Sequence, residues 1–216
     1  DTWVSFLPRN PAVLSVPGLR DRGYVYVDDI YQGVISRMDN VYDIMVPVTK
    51  GQRLTVVVEN QGRVNYGNLT DPKGIISDVT LSRRKLTNWN MTRIDERYHM
   101  GESSHSIRDD VPSNCGASAP GLAVYEARFQ VQQSPPLDTF IRLDHWKKGA
   151  VILNGFNLGR YWTPMGPQKT LYVPAVLFKP NNVLNIIELE QAPCSEGSMN
   201  CFVEFVDKPE IDAPVP

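Results

Sequence analysis

Metal-site spacings are missing from this sequence. Its three histidines, His99, His105 and His145, are scattered, and no His-x-x-x-His or Cys-x-x-Cys occurs. A metal centre is therefore not expected. No Gly-x-Ser-x-Gly elbow and no phosphate-binding glycine loop is present, so no nucleotide or other cofactor is expected. An excess of basic charge is lacking too. Lys and Arg total 22 against 24 Asp and Glu, a net charge of −2, which argues against a nucleic-acid partner. No apolar run approaches the ~18–20 residues of a membrane span. No stretch of a dozen residues keeps a helical apolar period with caps. The opening Asp1-Thr2-Trp3 has neither the basic nor the apolar region of a signal peptide. With no initial Met, the sequence reads as a processed product or a piece.

Turn formers are abundant. Seventeen prolines and fifteen glycines break the 216 residues into many short strands. A chain of this length can bury roughly 70% of its unfolded surface. Period-two or β-branched runs occur at 24–27, 54–59, 124–131, 139–143, 150–153, 170–173, 183–189 and 201–206. In the third, Tyr125, Ala127, Phe129 and Val131 face one way and Glu126, Arg128 and Gln130 the other. Asn154-Gly155 is a hairpin turn signal, since both residues tolerate positive φ. The fold class expected is all-β, of sandwich or jelly-roll type.

A weak repeat doubles this pattern. Tyr24-Val25-Tyr26-Val27-Asp28-Asp29 followed by Gly33 matches Ala150-Val151-Ile152-Leu153-Asn154-Gly155 followed by Gly159. Val46-Pro47 before Leu54 likewise matches Val173-Pro174 before Leu184. Gly159 lies 126 positions after Gly33, and Leu184 lies 130 after Leu54. A near-constant offset predicts two related β-domains in tandem. The boundaries expected are 1–92 for the first, 93–120 for a polar linker, 121–208 for the second and 209–216 for a tail. The first domain has only 3–7 and 13–16 as strand candidates ahead of Tyr24. It reads as short of strands, so its sheet edge would need polypeptide from outside.

Several residue groups invite a chemical reading. Cys194 and Cys201 flank Gly197, a spacing that suits a disulfide-closed hairpin loop, with two free thiols the alternative. Cys115 is then free or bonded to another chain. Sequons at Asn68 and Asn90, with that disulfide, point to the secretory route. Paired carboxylates can cleave glycosides, but no pair stands out. Asp28-Asp29, Asp109-Asp110, Glu188 and Glu190 read as solvated turns or strand faces. Phe156, Tyr161 and Trp162 around Arg160 could stack on a sugar; packing within the fold is the reading preferred. The segment Arg63-Val64-Asn65-Tyr66-Gly67, just past a β-branched run, can both stack and hydrogen-bond.

These segments carry a family likeness. Gly62-Arg63-Val64-Asn65-Tyr66-Gly67 with Asp71-Pro72-Lys73-Gly74-Ile75, and Asp21-Arg22-Gly23-Tyr24-Val25 with Gln32-Gly33-Val34, resemble the first β-domain of family 35 β-galactosidases. Asn154-Gly155-Phe156-Asn157-Leu158-Gly159-Arg160-Tyr161-Trp162, Gly166-Pro167-Gln168 and Cys201-Phe202-Val203-Glu204-Phe205 resemble the second. The likeness covers nearly the whole chain and is nearest to the lysosomal animal type. It implies two galactose-binding-like jelly rolls, the first incomplete. They would serve an acid β-galactosidase that cleaves terminal β-galactosides with retention.

The resemblance also implies what is elsewhere. The (β/α)8 barrel and its two catalytic glutamates are absent, so the chain alone should be inactive. The barrel fragment and galactose-terminated glycans are the implied partners, with a homodimer also open. The implied location is lysosomal or secreted. Tyr66 would line the galactose pocket, and Arg63 and Asn65 would support its loop. Two departures stand out: Asp28-Asp29 replaces the usual Asp-Gly turn, and Pro72 replaces an aromatic. Residues 93–120 do not align. A stand-alone lectin-like module and a structural or dimerisation module are the alternatives.

Overall fold

The computed structural model describes residues 1–67, 69–94, 120–194 and 198–213. It divides into two compact units, Asp1–Arg93 and Ile94–Pro216. The fold is all-β, as the turn-rich, period-two sequence requires. Cys115, Asp109-Asp110 and nearly all of 93–120 lie outside the described residues, as does Asn68.

The first unit contains β1 (Thr2–Trp3), β2 (Ala12–Ser15), β3 (Leu19–Arg20), β4 (Arg22–Val27), β5 (Ile30–Ser36), β6 (Asp43–Val46), β7 (Arg53–Glu59), β8 (Gly74–Ile75), β9 (Thr80–Leu81) and β10 (Arg84–Lys85). One antiparallel sheet has the order β1-β7-β4-β5 and a second has β10-β9-β2-β6; β3 pairs with β8. Alternation aims Val25, Val27, Leu54 and Ile35 at a core that Leu14, Val46 and Leu81 of the second sheet complete. Val56 and Val58 pack against the same core. Strands β3, β5, β6, β8, β9 and β10 fall outside the strand runs legible in the sequence. Gly33 and the exposed Met45 interrupt the apolar alternation of β5 and β6, and the other four strands are dipeptides. Of the candidate run 3–7, only Trp3 lies in a strand.

Asp28 and Asp29 sit at φ 47° and 68°, the left-handed pair that a two-residue hairpin needs. The usual glycine is replaced by Asp29, whose carboxylate accepts from Arg53 Nη2 at 2.5–2.6 Å, and the preceding Asp28 is tied down as well. Its carboxylate accepts from the Arg53 N–H at 2.8 Å and from Gln52 Nε2 at 2.9 Å. The hairpin therefore survives the departure.

The second unit contains β11 (Ala123–Phe129), β12 (Thr139–Arg142), β13 (Lys148–Leu153), β14 (Phe156–Trp162), β15 (Thr170–Val173), β16 (Asn182–Glu188) and β17 (Glu204–Val206). One sheet has the order β11-β16-β13-β14 and the other β15-β12-β17. All of β13 is buried. A Cβ on its Gly149 would lie 1.7 Å from the Ile187 carbonyl oxygen, so only glycine fits there.

The repeat read from the sequence is a repeat of topology. The β4–β5 hairpin has a register shift between Val25 and Tyr26, and the β13–β14 hairpin has one between Val151 and Ile152. Gly33 and Gly159 take the same unusual φ, 143° and 136°. β7 pairs with β4 as β16 pairs with β13.

Candidate functional site

Strand β7 ends at Glu59 and the chain leaves the sheet in a loop that returns at β8. Gly62 opens it at φ 112°, with its N–H donating to Asn60 Oδ1 at 2.9 Å. Gly67 turns it at φ 75°. Arg63, Val64, Asn65 and Tyr66 between them are exposed, and Tyr66 is 89% exposed. Within the described residues the side chains of Arg63 and Asn65 make no hydrogen bond.

The base of the loop is held by four charges. Asp21 precedes β4, Arg37 follows β5, and Asp71 and Lys73 lie on the returning limb. Arg37 Nη1 donates to Asp21 Oδ1 at 2.9 Å and to Asp71 Oδ1 at 2.8 Å. Lys73 Nζ reaches Asp21 Oδ2 at 2.7 Å and Asp71 Oδ2 at 2.8 Å. The outgoing limb joins them through the Gln61 N–H, which donates to Asp21 Oδ2 at 2.9 Å. The two carboxylates are 8% and 6% exposed. With both pairs matched, the cluster has no net charge, and the cost of removing it from water is offset by hydrogen bonds.

The electrostatics follow from these contacts. Hydrogen bonds from Lys73 and Arg37 hold the Asp71 carboxyl at about 2. For Asp21, burial pushes the carboxyl upward. The Lys73, Gln61 and Arg37 hydrogen bonds outweigh it, and the net direction is downward. The anchor thus stays ionised through the mildly acidic range. The sequence alone does not single out this cluster, although Asp21, Asp71 and Lys73 stand in the family-like segments. The strand pairing Arg20↔Gly74 brings residues 21 and 73 together, and sequence spacing gives no sign of that.

The aromatic run of the second unit does not form one platform. Phe156 is half exposed at the start of β14, while Tyr161 is buried. Trp162 carries the Lys148 ammonium 3.7 Å from its ring centroid. Asn154, at the turn, is a structural residue. Its Nδ2 donates to the Leu177 carbonyl and to Asn182 Oδ1, and its Oδ1 accepts from the Val183 N–H.

Glu188, expected on a solvated face, is fully buried. Its carboxylate accepts from the N–H groups of Lys147, Lys148 and Glu190 at 2.8–3.0 Å and from the Tyr161 hydroxyl at 3.1 Å. Four donors replace water, which is why a charged residue tolerates the site. Burial, then the Glu188 charge, pushes the Tyr161 phenol well above its ordinary range. The pair is structural; no reacting group could approach it.

Cys194 and Cys201 are disulfide-bonded. Asn90 of the second sequon is exposed. Among the described residues no group of three or more His, Cys, Asp or Glu could hold a metal ion, and no helix is long and apolar enough to cross a membrane.

Two family models match the chain. "Beta-galactosidase, first all-beta domain" covers residues 4–95, and "Beta-galactosidase, galactose-binding domain" covers 122–182. The Beta-galactosidase of Homo sapiens is 41% identical over 222 residues, spanning 95% of this chain and 33% of that protein. The Beta-galactosidase of Felis catus is 43% identical over 224 residues, 94% of this chain and 33% of that protein. The Beta-galactosidase-1-like protein of Mus musculus is 37% identical over 219 residues, 98% and 32%. The chain spans about a third of the length of these curated relatives.

Proposed function

Because the chain belongs to the β-galactosidase family, as the C-terminal β-domains of its animal family 35 members, we propose that it is the non-catalytic part of an acid β-galactosidase. In this reading a (β/α)8 barrel in the rest of the protein holds two glutamates, an acid/base and a nucleophile. Terminal β-galactosides are hydrolysed with retention. This chain alone is inactive. Residues 1–92 and 121–208 serve as two β-domains joined by 93–120. The enzyme is lysosomal or secreted, with glycans on Asn68 and Asn90.

The reading gives Tyr66 a task. It lines the galactose pocket, its hydroxyl hydrogen-bonding a sugar oxygen, while Arg63 and Asn65 support the loop against the barrel. The observation that carries this is the contrast within one loop. Its base is locked by Asp21, Arg37, Asp71 and Lys73, and its tip holds out a tyrosine that is 89% exposed. A rigid stem under an exposed polar aromatic suits contact with something outside the chain.

The test is reassembly. The chain should co-purify with a barrel-sized polypeptide, and Tyr66→Phe in the assembled enzyme should lower kcat/KM by roughly tenfold, the cost of one substrate hydrogen bond. Unchanged kinetics remove Tyr66 from the pocket. A folded, partner-free monomer that binds galactose would instead favour a lectin-like module.

A further inference from the structure

The two units share the sheet order β1-β7-β4-β5 and β11-β16-β13-β14, with one disparity. β11 pairs along all of β16, from Ala123↔Glu188 to Phe129↔Asn182. Its counterpart β1 pairs only as Thr2↔Leu54 and Trp3↔Arg53. Among the described residues, Thr55 to Val58 therefore have β4 on one side and no strand on the other.

The backbone directions locate the opening. The Glu59 carbonyl accepts from Asp21 and the Arg53 carbonyl from Asp28, both next to β4. In an antiparallel ladder, a residue's N–H and C=O point to the same side and alternate residues face opposite sides. The groups of Arg53, Thr55, Val57 and Glu59 hence face β4, and those of Leu54, Val56 and Val58 face the β1 side. Leu54 has Thr2. Val56 and Val58 have no backbone partner among the described residues, although their side chains pack on the core. Four unpaired backbone groups on a Val-Val-Val strand form an edge that other chains can join.

We propose that this edge takes an antiparallel strand that extends β1 upstream, supplied by polypeptide preceding Asp1 in the longer protein. The internal repeat sets its register. Leu184 corresponds to Leu54 and pairs with Ala127, so Thr2 takes the place of Ala127. Asp1 then stands opposite Thr55, and the three residues before it oppose Val56, Val57 and Val58. The residues opposite Val56 and Val58 exchange hydrogen bonds with them and point to the core. Tyr125, which packs on the core of the second unit, holds the position equivalent to the first of these. Both should be apolar, with the residue between them facing away. The strand's source rests on the family reading, but its existence requires neither Tyr66 at a sugar nor a catalytic partner.

The experiment compares this 216-residue chain with one extended by its eight native upstream residues, by residue-resolved amide exchange. The Val56 and Val58 amides should exchange at least 100-fold more slowly in the extended chain. Val57, already paired with β4, is the internal control. If the extended chain does not fold, the same eight residues are added as a free peptide. Saturable binding with the same two amides protected, and no binding by a scrambled peptide, supports the proposal. Unchanged Val56 and Val58 in both formats overturns it. So does protection of those amides in the short chain through self-association, since a second copy would then be the occupant. Loss of galactosidase activity is not read, so failure of the enzyme assignment leaves the outcome distinct.

Discussion

Asp21 and Lys73 are 52 positions apart in the chain and 2.7 Å apart in space. Between them hangs the loop that carries Tyr66. Asp21 also bonds the Gln61 N–H, so one carboxylate ties the outgoing limb to the returning one. The loop's placement therefore depends on charge as well as on its glycines.

Asp21→Asn tests that dependence. The amide keeps the size but leaves Lys73 and Arg37 with less negative charge at a largely buried site. A loss of about 1–3 kcal/mol is expected, between the values for exposed and buried pairs. Thermal melting gives the magnitude, and faster exchange of the Gln61 amide gives the location. A stability loss with Gln61 unchanged would show that the cluster does not hold the loop.

Acid titration has a definite sign. Asp71 is at about 2 in the folded chain against roughly 3.9 when unfolded. A depressed carboxylate stabilises the fold above its unfolded value, and that contribution fades as pH falls through the folded value. The stability difference between the native chain and its Asp71→Asn variant should be flat from pH 7 to about 4.5 and shrink towards pH 2. A midpoint near 4 would mean the anchor is not ionised as described.

Glu188 and Tyr161 should respond unequally. Tyr161→Phe removes one hydrogen bond and should cost about 1 kcal/mol. Glu188→Gln turns an NH2 group towards backbone donors and should cost roughly 2–4 kcal/mol. Denaturant titration of both variants and their double mutant measures the coupling. Equal, small losses would contradict the burial of Glu188.

Reducing the Cys194–Cys201 bond should destabilise the chain by about 2 kcal/mol, the value for a short closed loop. For a chain this long that lowers Tm by roughly 5 °C. The effect should reach the core, because Trp146 Nε1 donates to the Phe202 carbonyl beside Cys201. A shift in tryptophan emission that tracks reduction would report it; an unmoved Tm would show the bond to be redundant.

Much of the architecture was legible beforehand, and the legible parts share a cause. Runs such as Leu54-Thr55-Val56-Val57-Val58 and Thr170-Leu171-Tyr172-Val173 carry strand preference in their own side chains. The Asn154-Gly155 turn needs only residues that accept positive φ. The disulfide needed only a short spacing. Dipeptide strands such as β9 and β10 were not legible, because two residues carry no period. Glu188 reads as solvated in the sequence, yet is buried, for a related reason. Nothing adjacent to it reveals that the Lys147, Lys148 and Glu190 amides and the Tyr161 hydroxyl converge on its carboxylate.

Local order was thus written into the amino-acid sequence: strand preference, turns, the doubled pattern and the family membership all follow from neighbouring side chains. Contacts between distant residues belong to the tertiary structure alone. Pairing of β3 with β8 joins Asp21 to Lys73, and among the described residues the β7 ladder leaves Val56 and Val58 without backbone partners on one side. Hydrogen bonds and ion pairs act over about 3 Å, so they exist only after the sheets have brought remote positions together.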